Sequence, residues 1–345
     1  MTDPEPKVGR HAAAVIDRPE PSDAPWRPSA GLNPGDRGFR GLARAGGTTV
    51  LVLMLLVGAF LLYRAWQALG KQGWSFITTQ SWEPDGGGFG IAAVLAGSVM
   101  IAAVAIAFAL PLSVGTALYI SEYAPRRVKG WLISMVDLMA AVPSVVYGIW
   151  GMIFLQWKVL DLSRWIATYL GWIPFLHVDN YEFGNPLETD TVFTSSTFIA
   201  GIVVAMMVTP IACSVMREAF TQAPLGEREG AFALGATRWG MIRTVVLPFG
   251  RGAMIGGTML GLGRALGETI AVVLIISPVF SIQPHILEKG ANSVSALIAL
   301  RYGDSTEMGI SALMAAGLAL FLMTLVVNFL ASTIVARSRS GAVSE

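Results

Sequence analysis

The sequence predicts an all-α polytopic membrane protein with six transmembrane helices, and two observations carry this prediction. Of the 345 residues, 54% are hydrophobic and only 14% are charged, whereas soluble domains carry about 25% charged residues. Six stretches are also apolar over the roughly 20 residues that a helix needs to cross a bilayer. They lie at about 48–66, 91–118, 131–156, 196–215, 252–280 and 308–336.

Basic residues at the ends of these stretches predict that both termini are cytoplasmic, because Lys and Arg concentrate on the cytoplasmic side of membrane proteins. They cluster before the first stretch, in the second and fourth connections, and after the last stretch, whereas the connection 157–196 is mainly acidic. We expect a flexible cytoplasmic tail over residues 1–47, a membrane domain over 48–337 and a short cytoplasmic tail over 338–345.

Several classes of function are excluded by what the chain lacks. The net charge of +1 argues against a nucleic-acid partner. The single cysteine and three scattered histidines give no metal-ligand spacing, so we expect no metal and no cofactor. No G-x-x-x-x-G-K-[ST] motif is present, so a partner must supply any ATP hydrolysis and the chain itself is not an enzyme.

Two charges inside the fifth stretch, in "GLGRALGETIAVV", stand out from their apolar surroundings. An arginine at the centre of a membrane helix costs about 2.5–3.5 kcal/mol, so Arg264 indicates a function. Glu268 follows at i,i+4, where the two side chains would share a helix face and pair weakly, because the arginine comes first. A static pair that only fixes the register against a partner is the alternative.

Glycines crowd the same stretch. Gly257 and Gly261, like Gly263 and Gly267, have the small-xxx-small spacing that lets a second helix approach closely. We expect them to serve helix packing.

Other polar residues in the stretches are weaker candidates for a transport pathway. Pro143 would free a backbone carbonyl, and Ser144 and Tyr147 would offer hydroxyl groups beside it. Thr209, before Pro210, is a similar case. A kink that serves only packing explains these residues equally well.

The connection 217–251 is too polar to cross a membrane and too patterned to be a linker. "EREGAFAL" and "TRWGMIRTVV" predict two short amphipathic helices, with Gly235 in the left-handed conformation between them and Pro248 ending the second. They could lie on the membrane surface with Trp239 as an anchor, or enter a groove of a partner protein.

This connection resembles the EAA loop of ABC importer permeases. Glu229-Gly230-Ala231, three residues, Gly235, nine residues and then Val245-Val246-Leu247-Pro248 match the family pattern E-A-A, three residues, G, nine residues and I-x-L-P. Gly230 and Val245 depart from that pattern. The resemblance implies the type I (MetI-like) permease fold and a coupling helix that docks into a cytoplasmic ATPase. The residues that it assigns to this coupling are Glu229, Ala231, Gly235, Leu247 and Pro248.

Three further segments resemble the PstC-type permeases of bacterial phosphate-specific ABC importers. They are "VPSVVYGIWG", "GRALGETIAV" and the ending "GISALMAAGLALFLMTLVVNFLASTIVAR". The resemblance covers about residues 48–337 and implies that Arg264 and Glu268 act in transport. It also implies a second permease subunit, two ATPase subunits and an extracytoplasmic phosphate-binding protein as partners, in the bacterial inner membrane.

For such a permease we expect phosphate to compete with Glu268 for the guanidinium of Arg264, whose planar fork of donors matches an oxyanion. Alternatives remain at this stage. The substrate could be sulfate, molybdate or phosphonate, the chain could be the sister phosphate permease, or it could be a secondary transporter that works without ATP.

Overall fold

The computed structural model describes residues 34–179, 181 and 190–339. Its α-helices are α1 Pro34–Gln72, α2 Ser75–Thr78, α3 Ala92–Leu118, α4 Arg126–Ala141, α5 Ser144–Trp150, α6 Gln156–Leu170, α7 Thr197–Thr221, α8 Leu225–Ala233, α9 Arg238–Met241, α10 Leu247–Gly267, α11 Ile270–Ile275, α12 Val294–Arg301 and α13 Glu307–Arg339. Over the same residues there are isolated β-bridges, such as Trp82 with Phe89, but no β-strand.

The chain divides into two compact units, residues 1–55 and 56–345. In the first unit, residues 34–55 are helical and the side chains from residue 35 onward are exposed. Residues 34–47, which were expected in the flexible tail, are thus helical, and residues 338–339 of the expected C-terminal tail belong to α13. Residues 1–33 and 340–345, which hold the rest of the expected tails, lie outside the described residues.

Six helical stretches of the described chain are long and apolar enough to cross a membrane, which confirms the predicted number. They are Gly35–Gln72, Ala92–Tyr123, Ser144–Leu170, Thr197–Thr221, Arg238–Gly267 and Glu307–Leu330. Two predicted spans are interrupted in the structure. The stretch 131–156 is broken near its middle, and the stretch 252–280 is broken after Gly267.

The break in the third predicted span lies at Val142-Pro143. Helix α4 ends at Ala141, and a new helix starts at Ser144 and runs without interruption to Leu170 through a wide π-helical turn at Gly151–Leu155. Proline removes the N–H that would bond the carbonyl four residues earlier, and it disfavours a helical conformation in the residue before it. The apolar span therefore begins at the proline and includes much of what was expected to be a loop. At its far end, Arg164 binds Asp190 and holds the pKa of the Asp190 carboxyl below its ordinary value.

Pro248 does not end a helix, contrary to the sequence prediction. Helix α9 continues through a wide turn at Ile242–Val246 into α10, and Pro248 lies in the first turn of α10. The wide turn directly before the proline lets the helix continue, although proline has no N–H to donate to the preceding turn. The second short helix of the connection 217–251 is thus the beginning of the fifth membrane helix.

The main core is built around α7, whose residues are largely buried between α3 on one side and α10 on the other. Small residues bring these helices close together. A Cβ atom at Gly201 of α7 would lie 2.4 Å from Cγ1 of Val104 in α3, and a Cβ atom at Gly261 of α10 would lie 2.4 Å from Cγ1 of Val208 in α7. Close approach of backbones gives membrane helices the van der Waals contacts that hold them together.

A second core cluster joins the later part of α1 to α13. Ala65 and Ala68 pack against Ala312 and Ala316, all completely buried. The hydroxyl of Ser311 accepts the N–H of Ala68 and donates to the carbonyl of Arg64, at 3.1 and 2.8 Å. Residues 56–72 are thereby fixed along the last membrane helix.

Candidate functional site

Arg264 lies on the wall of a cavity of about 410 Å³ between α10 and α13. The other lining residues are Ile211, Met259, Leu260, Gly263, Thr324 and Asn328. Arg264 is exposed, and in the part of the chain that the structure describes it has no carboxylate partner. Because α10 ends at Gly267, the guanidinium lies in the last helical turn, where the helix dipole stabilises a positive charge.

Glu268 is not on the same helix as Arg264. It follows the end of α10 with an extended backbone, and its side chain is buried with 9% exposed. Its Oε1 accepts the N–H of Ala271 at 3.3 Å, in the first turn of α11, and its carbonyl accepts the hydroxyl of Ser295 at 2.9 Å. The predicted Arg264 and Glu268 pair was therefore wrong, because the i,i+4 spacing brings side chains together only while the helix continues.

The glycines of α10 divide into two groups. Gly257 and Gly261 face α7, where a Cβ would lie 3.2 Å from the Ala212 carbonyl oxygen and 2.4 Å from Val208 respectively. That confirms helix packing for this pair. Gly263 has only Oδ1 of Asn328 within 4 Å of its Cβ position, at 3.9 Å, and Gly267 has nothing. For this second pair the packing prediction stays a prediction, because their Cβ positions are open within this chain, and Gly263 lines the cavity beside Arg264.

Tyr147 explains how the chain tolerates the break at Pro143. Pro143 has no N–H to donate to the carbonyl of Met139, and this carbonyl instead accepts the Tyr147 hydroxyl at 3.0 Å and the N–H of Val142 at 3.4 Å. Tyr147 is buried and lies near enough to Arg264 for an electrostatic interaction. The structure thus brings one of the weaker candidate residues to the neighbourhood of Arg264.

Ser144 and Thr209 are not among the residues that line the Arg264 cavity. Ser144 is half-buried at the start of α5. The Thr209 hydroxyl donates to the carbonyl of Ala205 at 2.7 Å, and the Thr209 carbonyl accepts the hydroxyl of Ser113 at 3.1 Å. These bonds link α7 to α3 beside Pro210. A pathway role for Ser144 and Thr209 stays a prediction.

Two residues of the cavity were missed by the sequence prediction. Asn328 and Thr324 lie on α13 and face Gly263 and Arg264 across the cavity. A single amide within the apolar run "LVVNFLAS" was the available signal, because polar side chains inside membrane helices are usually buried against other helices or line a path.

The first predicted helix of the connection 217–251 is confirmed as α8, whereas the second, which starts as α9, continues into α10. Gly235 has φ of +82°, in the left-handed region, and ends α8. The N–H of Gly235 bonds the Phe232 carbonyl and the N–H of Ala236 bonds the Ala231 carbonyl, at 2.9 and 3.0 Å. These two bonds form a Schellman motif. The Thr237 hydroxyl then accepts the N–H of Gly240 and caps α9.

An ion pair that the sequence did not reveal anchors α8. Arg228 contacts Glu122 at 3.0 Å, and both side chains are largely buried, with 17% and 4% exposed. Arg228 also donates to the carbonyls of Phe220 and Ala223 at the end of α7. One guanidinium therefore fixes α8 to the ends of two membrane helices, since Glu122 follows α3 directly.

The helix pair of α8 and α9 also carries exposed apolar side chains. Leu225, Phe232, Leu234 and Trp239 all have large exposed fractions, reaching 90% for Leu234. Glu229 is exposed beside them, whereas Ala231 is half-buried against the core and Leu247 packs on the same cluster. Exposed apolar side chains on a firmly anchored helix are typical of a surface that binds another protein or a membrane.

Comparison with known proteins identifies the family of the chain. Residues 109–340 match the family described as "Binding-protein-dependent transport system inner membrane component". "Phosphate transport system permease protein PstC 2" of Mycobacterium tuberculosis is 35% identical over 322 residues, covering 91% of this chain and 97% of the relative. "Phosphate transport system permease protein PstC" of Mesorhizobium japonicum is 36% identical over 311 residues, covering 88% and 91%.

A solved structure supports the fold. The bacterial ABC transporter involved in the import of the acidic polysaccharide alginate contains a chain that aligns with a TM-score of 0.57 at 17% identity, covering 87% of this chain and 96% of that one. With the six membrane-spanning stretches, this likeness confirms the predicted ABC importer permease fold. The chain belongs to the family of inner membrane components of binding-protein-dependent transport systems, and it is a multi-pass protein of the bacterial inner membrane.

Proposed function

We propose that this chain is one of two permease subunits of an ATP-driven importer of inorganic phosphate, and that Arg264 contacts the phosphate during transport. Relatives that cover almost the whole chain are named as phosphate permeases. The observation that carries the site is an arginine with no described carboxylate partner on the wall of a cavity between two membrane helices.

The cavity suits a tetrahedral oxyanion. Phosphate carries roughly one to two negative charges near neutral pH and several acceptor oxygens. The guanidinium of Arg264 offers two parallel donors to such an anion, and the amide of Asn328 offers another donor on the facing helix. An unpaired arginine inside the membrane is costly by itself, which favours a role in binding.

Glu268 has a positioning role in this proposal. Its carboxylate caps α11 and its carbonyl is held by Ser295, so it supports the chain where α10 ends. The helix end gives Arg264 its favourable position without using a carboxylate partner. Phosphate then need not displace Glu268 from Arg264 in the conformation described.

The partners in the proposal are a second permease subunit, two cytoplasmic ATPase subunits and an extracytoplasmic phosphate-binding protein, with both termini of this chain in the cytoplasm. The exposed apolar surface of α8 and α9 supports docking of an ATPase subunit, with Glu229 and Gly235 at the contact. Ala231 and Leu247 pack against the core behind it, and Pro248 lies in the first turn of α10. A helix presented to a groove is a common mode of protein recognition.

Copurification tests the ATP-driven part of the proposal. We expect ATPase subunits to accompany the detergent-solubilised wild-type chain, and Glu229→Lys to reduce the amount recovered. Glu218→Lys is the matched control, because Glu218 is an acidic residue of α7 outside the helix pair. A wild-type chain that purifies without any ATPase, from cells whose uptake it supports, would contradict an ATP-driven importer.

A further inference from the structure

Four side chains of types that can bind a metal lie close together, although they come from two segments that are far apart in the sequence. His177 and Asp179 follow α6, and His285 and Glu288 lie in the segment between α11 and α12. Nδ1 of His285 lies 3.4 Å from Oδ2 of Asp179 and 3.2 Å from Oε1 of Glu288. The rings of His177 and His285 are 5.7 Å apart.

Backbone hydrogen bonds fix the two segments that carry these side chains. The N–H of Ile286 bonds the Phe175 carbonyl at 3.0 Å, and the Ile286 carbonyl accepts the N–H of Phe198 at 2.9 Å. Leu287 is completely buried beside them. His285 and Glu288 are mostly buried, with 17% and 12% of their side chains exposed, so the surrounding residues restrict their positions.

The hydrogen bonds of His177 leave an electrostatic conflict in its neutral form, which either a proton on Nε2 or a bound metal cation resolves. Its Nδ1 lies 3.2 Å from the Gly171 carbonyl oxygen, which can only accept, so Nδ1 carries the proton. In a neutral ring the other nitrogen, Nε2, then has a lone pair, and this lone pair faces Oδ1 of Asp179 at 3.3 Å. Two acceptors facing each other are repulsive unless a positive charge lies between or beside them.

The charges of the cluster lead to the same conclusion. Asp179 and Glu288 contribute two carboxylates beside the histidine rings, and this negative charge attracts a cation. Glu288 is held by the N–H of Asp179 and by the side-chain amide of Gln283, so its carboxylate is oriented toward His285.

We propose that Asp179, His285 and Glu288 bind a zinc ion, with His177 as the fourth ligand. Ligand atoms about 2.0–2.2 Å from a tetrahedral zinc lie about 3.3–3.6 Å apart, close to the 3.2 and 3.4 Å around His285 Nδ1. The candidate ligand atoms of Asp179, His285 and Glu288 all lie within 4.8 Å of one another. Imidazole nitrogens select zinc over magnesium or calcium, which prefer all-oxygen sites.

A zinc ion at this position joins the segment after α6 to the segment before α12. It fixes two connections that the backbone hydrogen bonds of Ile286 already bring together. The site is separate from the Arg264 cavity and does not depend on which anion the chain transports.

Calorimetric titration of the purified, tag-free full chain with zinc chloride tests the proposal. We expect one zinc ion per chain, a higher unfolding temperature with zinc present, and loss of both effects on adding EDTA. Cobalt in place of zinc should give the intense visible absorption of a tetrahedral site. His285→Gln and Asp179→Asn should weaken zinc binding at least a hundredfold, whereas His11→Gln, outside the described residues, should bind as the wild type does.

Two results would overturn the proposal. One is an intact, folded chain that binds no zinc at micromolar concentrations. The other is zinc binding that His285→Gln and Asp179→Asn leave unchanged, which would place the ion elsewhere. Asp179→Asn keeps the shape of the side chain, so a folding defect of one variant does not remove the test.

Discussion

Arg264 and Glu268 are four residues apart, but they have different environments because α10 ends between them. Arg264 is exposed to a cavity that contains amide and hydroxyl groups from α13. Glu268 is buried and caps the next helix. The two charges that stand out in the sequence therefore do not neutralise each other, and the positive one is available to an anion.

Substitutions at Glu268 separate its capping role from its charge. We expect Glu268→Gln to retain the stability of the wild type, because the amide oxygen can still accept the N–H of Ala271. Glu268→Ala removes the acceptor and should lower the stability by about 0.5–2 kcal/mol, as for the loss of a helix cap. Thermal unfolding of the two variants in the same detergent measures this. Equal losses of stability in both would instead show that the charge matters.

On the scale of helices, the sequence predicted α8 and its end well, but it did not predict that α9 continues into α10 or where the membrane helices break. Gly235 has a left-handed backbone, which glycine adopts more easily than other residue types, so the end of α8 is encoded locally. The breaks at Pro143 and Glu268 lie inside apolar stretches, so the hydropathy of the sequence does not reveal them. At Glu268 the break is stabilised by hydrogen bonds from Ala271 and Ser295, which no local sequence pattern predicts.

The anchor of α8 gives a prediction about stability. Arg228→Ala leaves the carboxylate of Glu122 buried without its partner, which should cost up to about 3–5 kcal/mol and detach α8 from the membrane helices. Arg243→Ala, an exposed arginine in the adjoining turn, should change the stability by less than about 0.5 kcal/mol. Thermal unfolding and limited proteolysis of the connection 217–251 measure the two effects. Similar behaviour of the two variants would show that the ion pair does not hold α8.

The packing of α10 on α7 is tested by two alanine substitutions in the same helix. Alanine at Gly256, which has nothing near its Cβ position, should stabilise the helix by about 0.5–1 kcal/mol. Alanine at Gly261 gains the same helix propensity but meets Val208, and overpacking costs about 1–3 kcal/mol. We expect Gly261→Ala to be less stable than Gly256→Ala by about 1–3 kcal/mol. Equal stability would mean that α10 can move away from α7 without loss.

On the scale of the whole molecule, the number of membrane-spanning stretches follows from composition and hydropathy, because both are summed over many residues, and the permease fold was predicted from the resemblance of the connection 217–251 to an EAA loop. Contacts between distant segments do not follow from them. Nothing in the sequence predicts that Asn328 meets Gly263 or that His177 meets His285, since each pair is brought together only by tertiary packing. The charge of Arg264 within an apolar stretch identified this residue in the sequence, and the structure shows its neighbours.

Uptake of radiolabelled phosphate tests the central claim most directly. In a strain that lacks this chain, we expect the wild-type chain to restore uptake, with unlabelled phosphate competing and sulfate and molybdate having no effect. Arg264→Gln should abolish uptake although the variant is present in the membrane, and Arg251→Gln, nearer the start of the same helix, should support it. Normal phosphate uptake by Arg264→Gln, or uptake blocked by sulfate or molybdate, would contradict the account.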